Sequence, residues 1–214
     1  MTFNEIMEAV KLAAQDTEWG SENPAELKWK VNQAYAQIAE ETTIVIPQLK
    51  TVAVVPTTTD AYATMPSGFS RMLLIVPEDG VPEDLKILKG LEDLVALYPS
   101  LDEVGDVQYV ALEGNILWYQ GIPSTAQNLV CVYGKTPTQL VNTSDIPSII
   151  PDHLHYGLLV NKTVELIYKE IEDGIEGDKV NTMRFRGYYA EALNDFNKYL
   201  IRRRGSLGSS AWDC

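Results

Sequence analysis

Two cysteines in 214 residues, Cys131 inside an apolar run and Cys214 at the last position, are too few for a disulfide framework, so a reducing compartment is expected. Histidine is equally scarce. His153 and His155 are the only two, and an i, i+2 pair points to different sides of a helix instead of gripping one ion as an i, i+4 pair does. They read as the solvated or interfacial start of a helix, and no metal is expected. Long apolar runs are also missing. Met72 to Val76 is a strand-sized stretch, far short of the ~18 residues of a membrane span. The opening Met1-Thr2-Phe3-Asn4-Glu5 lacks the positive region of a secretory signal, which makes the cytoplasm the expected place of synthesis. Positive charge is in short supply too: Lys+Arg 17 stand against Asp+Glu 30, for a net charge of −13. Wrapping nucleic acid or lying on an anionic membrane each needs a positive field, so both are set aside.

Signatures of chemistry are absent as well. Gly134-Lys135-Thr136 suggests a phosphate loop, but Leu129 occupies the position of that motif's first glycine and Pro137 follows where a helix should open. There is no G-x-S-x-G elbow and no third imidazole for a serine triad. Carboxylates abound, yet Glu40-Glu41, Glu78-Asp79, Glu83-Asp84, Glu92-Asp93 and Asp102-Glu103 read as solvated faces instead of a paired-acid cleft. No catalytic, cofactor-binding or metal-binding residue is assigned.

What is present is pattern. Thr2-Phe3-Asn4-Glu5 has the spacing of a capping box, and Phe3, Ile6, Met7, Val10 and Ala14 recur at helical spacing to about Gln15. After a break at Trp19-Gly20-Ser21, Asn23-Pro24-Ala25-Glu26 opens a second helix with the stripe Leu27, Val31, Ala34, Tyr35 and Ile38. From Thr42 the texture becomes short β-branched and aromatic runs: Thr51–Val55, Ala61–Thr64, Arg71–Val76, Val107–Leu112, Ile116–Tyr119 and Leu129–Tyr133, with a tight turn at Glu113-Gly114-Asn115 and a short helix over Leu91–Tyr98. Leu129-Val130-Cys131-Val132-Tyr133 is apolar on both faces, so this strand should be covered twice, by the core and by a helix or another subunit. Val130 and Val132 are the candidate inter-subunit residues. Pro151 opens a third helix through Leu154, Leu158, Val164, Tyr168 and Ile171 to Asp173-Gly174, and a fourth runs from about Asp178 to Arg204 on Phe185, Tyr189, Ala192, Phe196 and Leu200.

The expected fold class is therefore α+β: a four-helix bundle-like part, two N-terminal and two long C-terminal helices, into which an antiparallel β-sandwich or barrel is inserted. The expected divisions are a helical hairpin over 1–44, a β module over 45–148, a second hairpin over 149–204 packed on the first, and a flexible docking tail over 205–214. Charge is distributed unevenly along the chain. Residues 1–150 hold 8 basic and 20 acidic side chains, net −12; residues 151–214 hold 9 and 10. Lys179 to Arg204 carries 7 basic against 2 acidic residues, net +5. Arg202-Arg203-Arg204 complements a helix dipole, but three arginines followed by a Gly/Ser spacer, Leu207 and Trp212 also have the make-up of an interface anchor.

Several segments in this order resemble the head-to-tail adaptor, or connector, proteins of tailed bacteriophages. They are Leu27-Lys28-Trp29-Lys30-Val31-Asn32-Gln33-Ala34, Met65-Pro66-Ser67-Gly68-Phe69, Gly105-Asp106-Val107-Gln108-Tyr109 with Gly114-Asn115-Ile116-Leu117-Trp118, Val132-Tyr133-Gly134-Lys135-Thr136-Pro137-Thr138-Gln139-Leu140, and Asp145-Ile146-Pro147 through Pro151-Asp152-His153-Leu154-His155. The resemblance implies a non-enzymatic virion protein of the neck, assembled in the host cytoplasm. Its copies would form a twelve-membered ring beneath the portal protein and offer a platform to tail or nozzle proteins. DNA would pass through as cargo only, without cofactor or membrane. It also implies a helical part on the portal side and a C-terminal segment docked on the portal, which here falls on Arg202, Arg203, Arg204, Leu207 and Trp212. Two other classes stay open at this point: a virion-carried peptidoglycan hydrolase that doubles as a connector, and a cytosolic protein-binding module.

Overall fold

The computed structural model describes residues 1–15, 23–80, 85–173 and 179–205. The chain divides into two compact units: a discontinuous one, residues 1–48 with 137–214, and a continuous one, residues 49–136. The breaks read at Trp19-Gly20-Ser21 and Gly174, the pair Glu83-Asp84, the helix start at Asp178, and Leu207 and Trp212 lie outside the described residues.

The discontinuous unit is helical. Helix α1 (Phe3–Ala13) opens on the expected capping box: the Glu5 amide donates to Thr2 Oγ1 at 3.3 Å and the Thr2 amide to Glu5 Oε2 at 2.8 Å. Its next orphan amides find a partner across the chain, with Phe3 N–H donating to the Asp145 carbonyl at 2.7 Å and Asn4 N–H to the Thr143 carbonyl at 3.0 Å. The Asp145 carboxylate shapes that loop by accepting the Val141 and Asn142 amides, at 2.7 and 2.8 Å, and these donors hold it below the usual carboxylate range. Helix α2 (Pro24–Glu41) buries Leu27, Val31, Ala34, Tyr35 and Ile38, and with them Lys30, only 1% exposed. Asn32 fastens the returning chain to α2 through a reciprocal pair: its Nδ2 donates to the Leu140 carbonyl and its Oδ1 accepts the Leu140 amide.

The third helix departs from expectation. Pro151 leads into a 3-10 turn, Asp152–Leu154, then a π-helical segment, Tyr156–Val160, and α geometry begins only in α4 (Asn161–Asp173). Every residue from Leu158 to Ile167 is buried, because this stretch packs against α1, α2 and the last helix, α5 (Val180–Gly205). A helix enclosed on all sides has no polar stripe to display. Two of its polar members are satisfied within the stretch: Thr163 Oγ1 donates to the Leu159 carbonyl at 2.7 Å and Asn161 Nδ2 to that of Gly157 at 3.1 Å. A Cβ added at Gly157 would stand 3.0 Å from that of Ala192, so glycine is what permits this close approach of the π segment to α5. Helix α5 is capped by Glu172, whose carboxylate accepts the Thr182 hydroxyl at 2.6 Å and the Asn181 and Thr182 amides; the hydroxyl first, then the amides, pull its pKa down. Phe185, Tyr189, Phe196 and Leu200 are buried as their spacing predicts, whereas Ile171 is exposed.

The continuous unit carries two sheets. Strands β1 (Lys50–Pro56), β7 (Asn128–Lys135) and β3 (Phe69–Pro77) form one, in the order β1-β7-β3; β2 (Tyr62–Thr64), β6 (Ile116–Tyr119), β5 (Tyr109–Glu113) and β4 (Lys86–Leu88) form the other, in the order β2-β6-β5-β4. Two features correct the expectation of an antiparallel sandwich or barrel: they remove the all-antiparallel pairing and the barrel. Strand β4 pairs with β5 in parallel, and among the described residues neither sheet closes on itself. Both sheets feed one apolar cluster that includes Val55, Ile75, Val110, Leu117, Leu129 and Cys131. Burial pushes the Cys131 thiol up to about 11. Helix α3 (Leu91–Leu97) packs on β5 and β4. Since Val110 and Leu112 face the shared cluster, α3 lies on the opposite side of β5, where Ala111 is fully buried and Tyr98 meets the Tyr109 ring at 5.2 Å.

Candidate docking and assembly surfaces

At the end of α5, Arg202 and Arg203 are exposed. The Arg203 guanidinium lies 5.7 Å from the Tyr199 ring centroid, and with Pro47, Ser148, Pro151 and Leu200 it borders a cleft of about 280 Å³. The backbone carries α5 through Arg204 to Gly205. A larger groove of about 560 Å³, lined by Leu12, Tyr156, Arg184, Phe185, Tyr188 and Ala192 among others, runs between α1, the π segment and α5. Leu12 is 71% exposed beside it. The Arg184 guanidinium spans two rings, 5.9 Å from Phe185 and 5.7 Å from Tyr188, and its Nε donates to the Tyr188 hydroxyl. Sequence reasoning missed this groove. The signal available was an aliphatic residue, Leu12, off the buried stripe of its own helix.

Beneath these surfaces the helical unit is held by polar contacts. Lys30 pairs with Glu170. Glu41 accepts from Lys162 Nζ at 3.1 Å and from the Tyr189 hydroxyl at 2.7 Å, while Lys162 Nζ lies 4.5 Å from the Tyr189 ring centroid and 3.4 Å from Glu165 Oε2. Arg186 Nε completes the chain by donating to Glu165 Oε1 at 3.0 Å. Burial raises the Tyr189 phenol well above its ordinary pKa, and the Glu41 carboxylate adds to that. Glu41, read as part of a solvated face, is thus a structural acceptor.

The two histidines part company. His153 is exposed and meets Tyr199 edge-on at 6.3 Å, as a solvated helix start predicts. His155 is fully buried, which corrects that expectation. Its Nδ1 lies 2.9 Å from the Met1 ammonium, which can only donate, so Nδ1 is the acceptor and Nε2–H donates to the Ile150 carbonyl at 2.9 Å. Burial first, and the neighbouring ammonium with it, depress the His155 pKa. No group of three or more His, Cys, Asp or Glu side chains able to hold a metal ion occurs among the described residues.

In the continuous unit the surplus is apolar. The face of β1-β7-β3 turned away from the core presents two cross-strand rows, Val52–Val132–Leu74 and Val54–Val130–Val76. Val130 and Val132 are half-buried on the central strand, while Val52 is 61% and Leu74 50% exposed on the outer two. The second cover that β7 calls for is thus absent from the described chain, and the same exposed character extends to β1 and β3. A basic row, Lys50–Gly134–Arg71, borders the valines at one end; at the other, Asn128 Nδ2 donates to Glu78 Oε2.

The SU10 adaptor protein family matches residues 1–211, nearly the whole chain. The chain belongs to the SU10 adaptor family. No curated protein matches it. Membership in this family of tailed-phage head-to-tail adaptors makes the chain a phage structural protein, and it implies a place in the virion neck and interaction with portal and tail proteins. None of the adaptor's described helices is long and apolar enough to cross a membrane.

Proposed function

We propose that this adaptor is a ring-forming connector, twelve copies to a ring, that joins the portal to the tail and lets DNA pass through its channel. The observation that carries the reading is the uncovered aliphatic face of the three-stranded sheet. An aliphatic patch of this kind on a soluble surface marks an interaction site, and in an adaptor the nearest source of cover is a neighbouring copy. Docking on the portal falls to the end of α5, through Arg202, Arg203 and Arg204, with Leu207 and Trp212 beyond them. Arginines beside exposed aromatic surface are the residue types that anchor interfaces. Both units are acidic: residues 49–136 hold 5 basic against 11 acidic side chains, net −6, and the remainder 12 against 19, net −7. A channel walled by such a protein repels DNA phosphates and lets the genome slide. The domain plan follows the same division of labour, with the helical segments serving the portal side and the β module serving assembly.

Electron microscopy and native mass measurement of the purified chain, alone and mixed with portal rings, test this reading. Closed rings, free or seated on the portal, are expected. A monomer at every concentration that also ignores the portal would overturn it. Removing residues 206–214 is expected to leave folding intact and abolish portal attachment; unchanged attachment moves the docking surface off the tail.

A further inference from the structure

The β unit exposes apolar surface on two opposite sides. One is the outer face of the three-stranded sheet, with its rows Val52–Val132–Leu74 and Val54–Val130–Val76. The other is α3, which covers the far side of the four-stranded sheet and leaves Val95 and Leu97 exposed, 41% and 58%, after burying Leu94. Each border is mixed, with Glu78 at the far end of the sheet face and Lys86 over the Tyr109 ring on the α3 side, but the two patches offer opposite charge at one end each. The sheet face ends in the row holding Lys50 and Arg71, two of only five basic residues in the unit. Helix α3 shows Glu92 and Asp93 in its first turn, with Glu113 beside it in a shallow apolar groove.

From this arrangement we infer that neighbouring copies join head to tail through the β unit, the sheet face of one copy receiving the α3 face of the next. A sheet face that paired with its own counterpart would leave Val95 and Leu97 uncovered. A heterologous contact sets basic against acidic and apolar against apolar. It also has the symmetry a ring requires, because each copy offers one of each face. The inference rests on the ring reading above and adds to it the surfaces that meet and their order.

The test uses the purified full chain, with sedimentation velocity for assembly and circular dichroism for folding. The reversal Lys50→Glu with Arg71→Glu, and separately Glu92→Lys with Asp93→Lys, should each weaken assembly roughly tenfold or more. Combining all four in one chain should restore it. Val54→Asp, which adds a charge at an exposed position, should abolish assembly while the chain stays folded. In a Cys214→Ser background, a short bismaleimide should link Val54→Cys of one copy to Val95→Cys of another. Links from position 54 to position 54 would show a self-paired sheet and overturn the head-to-tail arrangement. Normal assembly of both reversed chains and of Val54→Asp would overturn it while leaving the ring intact. A wild-type chain that never assembles overturns the ring reading, and this one with it. A Val54→Cys thiol that is shielded in the monomer and uncovered by removing residues 206–214 would assign the face to the chain's own C-terminal segment and overturn the proposal.

Discussion

The helical unit and the β unit differ in what they bury. In the helical unit Lys30, His155, Lys162, Thr163, Glu165 and Thr182 are buried among the apolar stripes, each with a named partner. In the β unit the core cluster is apolar but for the Tyr119 and Tyr133 hydroxyls and the Cys131 thiol, and aliphatic side chains are left over on the outside. The helical unit is assembled from two stretches of chain separated by almost ninety residues. Part-buried polar pairs such as Glu41 with Lys162 and Asn32 with Leu140 accept one register between those stretches and penalise the others. The β unit is continuous and takes its register from strand pairing, so its spare apolar surface is free to serve another molecule.

Four measurements would break or sharpen this contrast. Lys162→Ala should cost the most, about 3–5 kcal/mol, because it leaves the buried Glu165 carboxylate with Arg186 alone and strips one donor from Glu41. Denaturant unfolding reads the loss, and Lys162→Met combined with Glu165→Leu should recover most of it; no recovery would mean that the charges do more than satisfy one another. Next, Leu129→Ala in the β unit should cost about 2–5 kcal/mol through the cavity it opens in the shared core. Hydrogen exchange should show β1, β3 and β7 opening before α4, and equal opening in both units would dissolve the contrast.

Acid should select the helical unit. The His155 pKa lies below the 6.5 of an unfolded histidine, so the unfolded chain binds the extra proton first. This part of the stability is present above pH ~6.5 and is lost as pH falls through the folded value. Glu172 and Asp145 lose theirs too, but only as pH falls below about 4. His155→Gln should therefore flatten the melting temperature between pH 7 and 5, and an unchanged slope there would remove His155 from the account. The smallest effect is expected from Val52→Thr with Val54→Thr, which should shift folding stability within about 0.5 kcal/mol per site while weakening assembly. A large loss of stability in the monomer would mean that this face is covered from within the chain.

Much of this was legible before the fold was known. The stripes on α1, α2 and α5 follow from a 3.6-residue period, and the capping box at Thr2 from its spacing. The two-sided apolar run 129–133 pointed to a strand needing cover on both sides, and Val130 and Val132 do lie on the exposed side. The same reading applied to Thr51–Val55 would have found Val52 and Val54. Strand β4 was not legible, because three residues carry no period and a parallel partner twenty residues away leaves no hairpin signal. Lys30 and His155 escaped because burial of a polar group depends on a partner, Glu170 or the Ile150 carbonyl, that only folding brings near. The arginines at the end of α5 were legible as a charged run, whereas the Arg184–Tyr188 groove exists only once α1 packs beside α5.

The sequence by itself determined the periodicities, the adaptor resemblance and a net charge of −13 with a basic fourth helix. Tertiary structure regrouped that charge. The division into −12 before residue 151 and −1 after it follows the chain, but the fold returns the acidic N-terminal helices to the basic C-terminal one, leaving two acidic units of −7 and −6. Charge adds along a sequence, whereas a field is felt by neighbours in space, and which residues become neighbours is settled by packing alone.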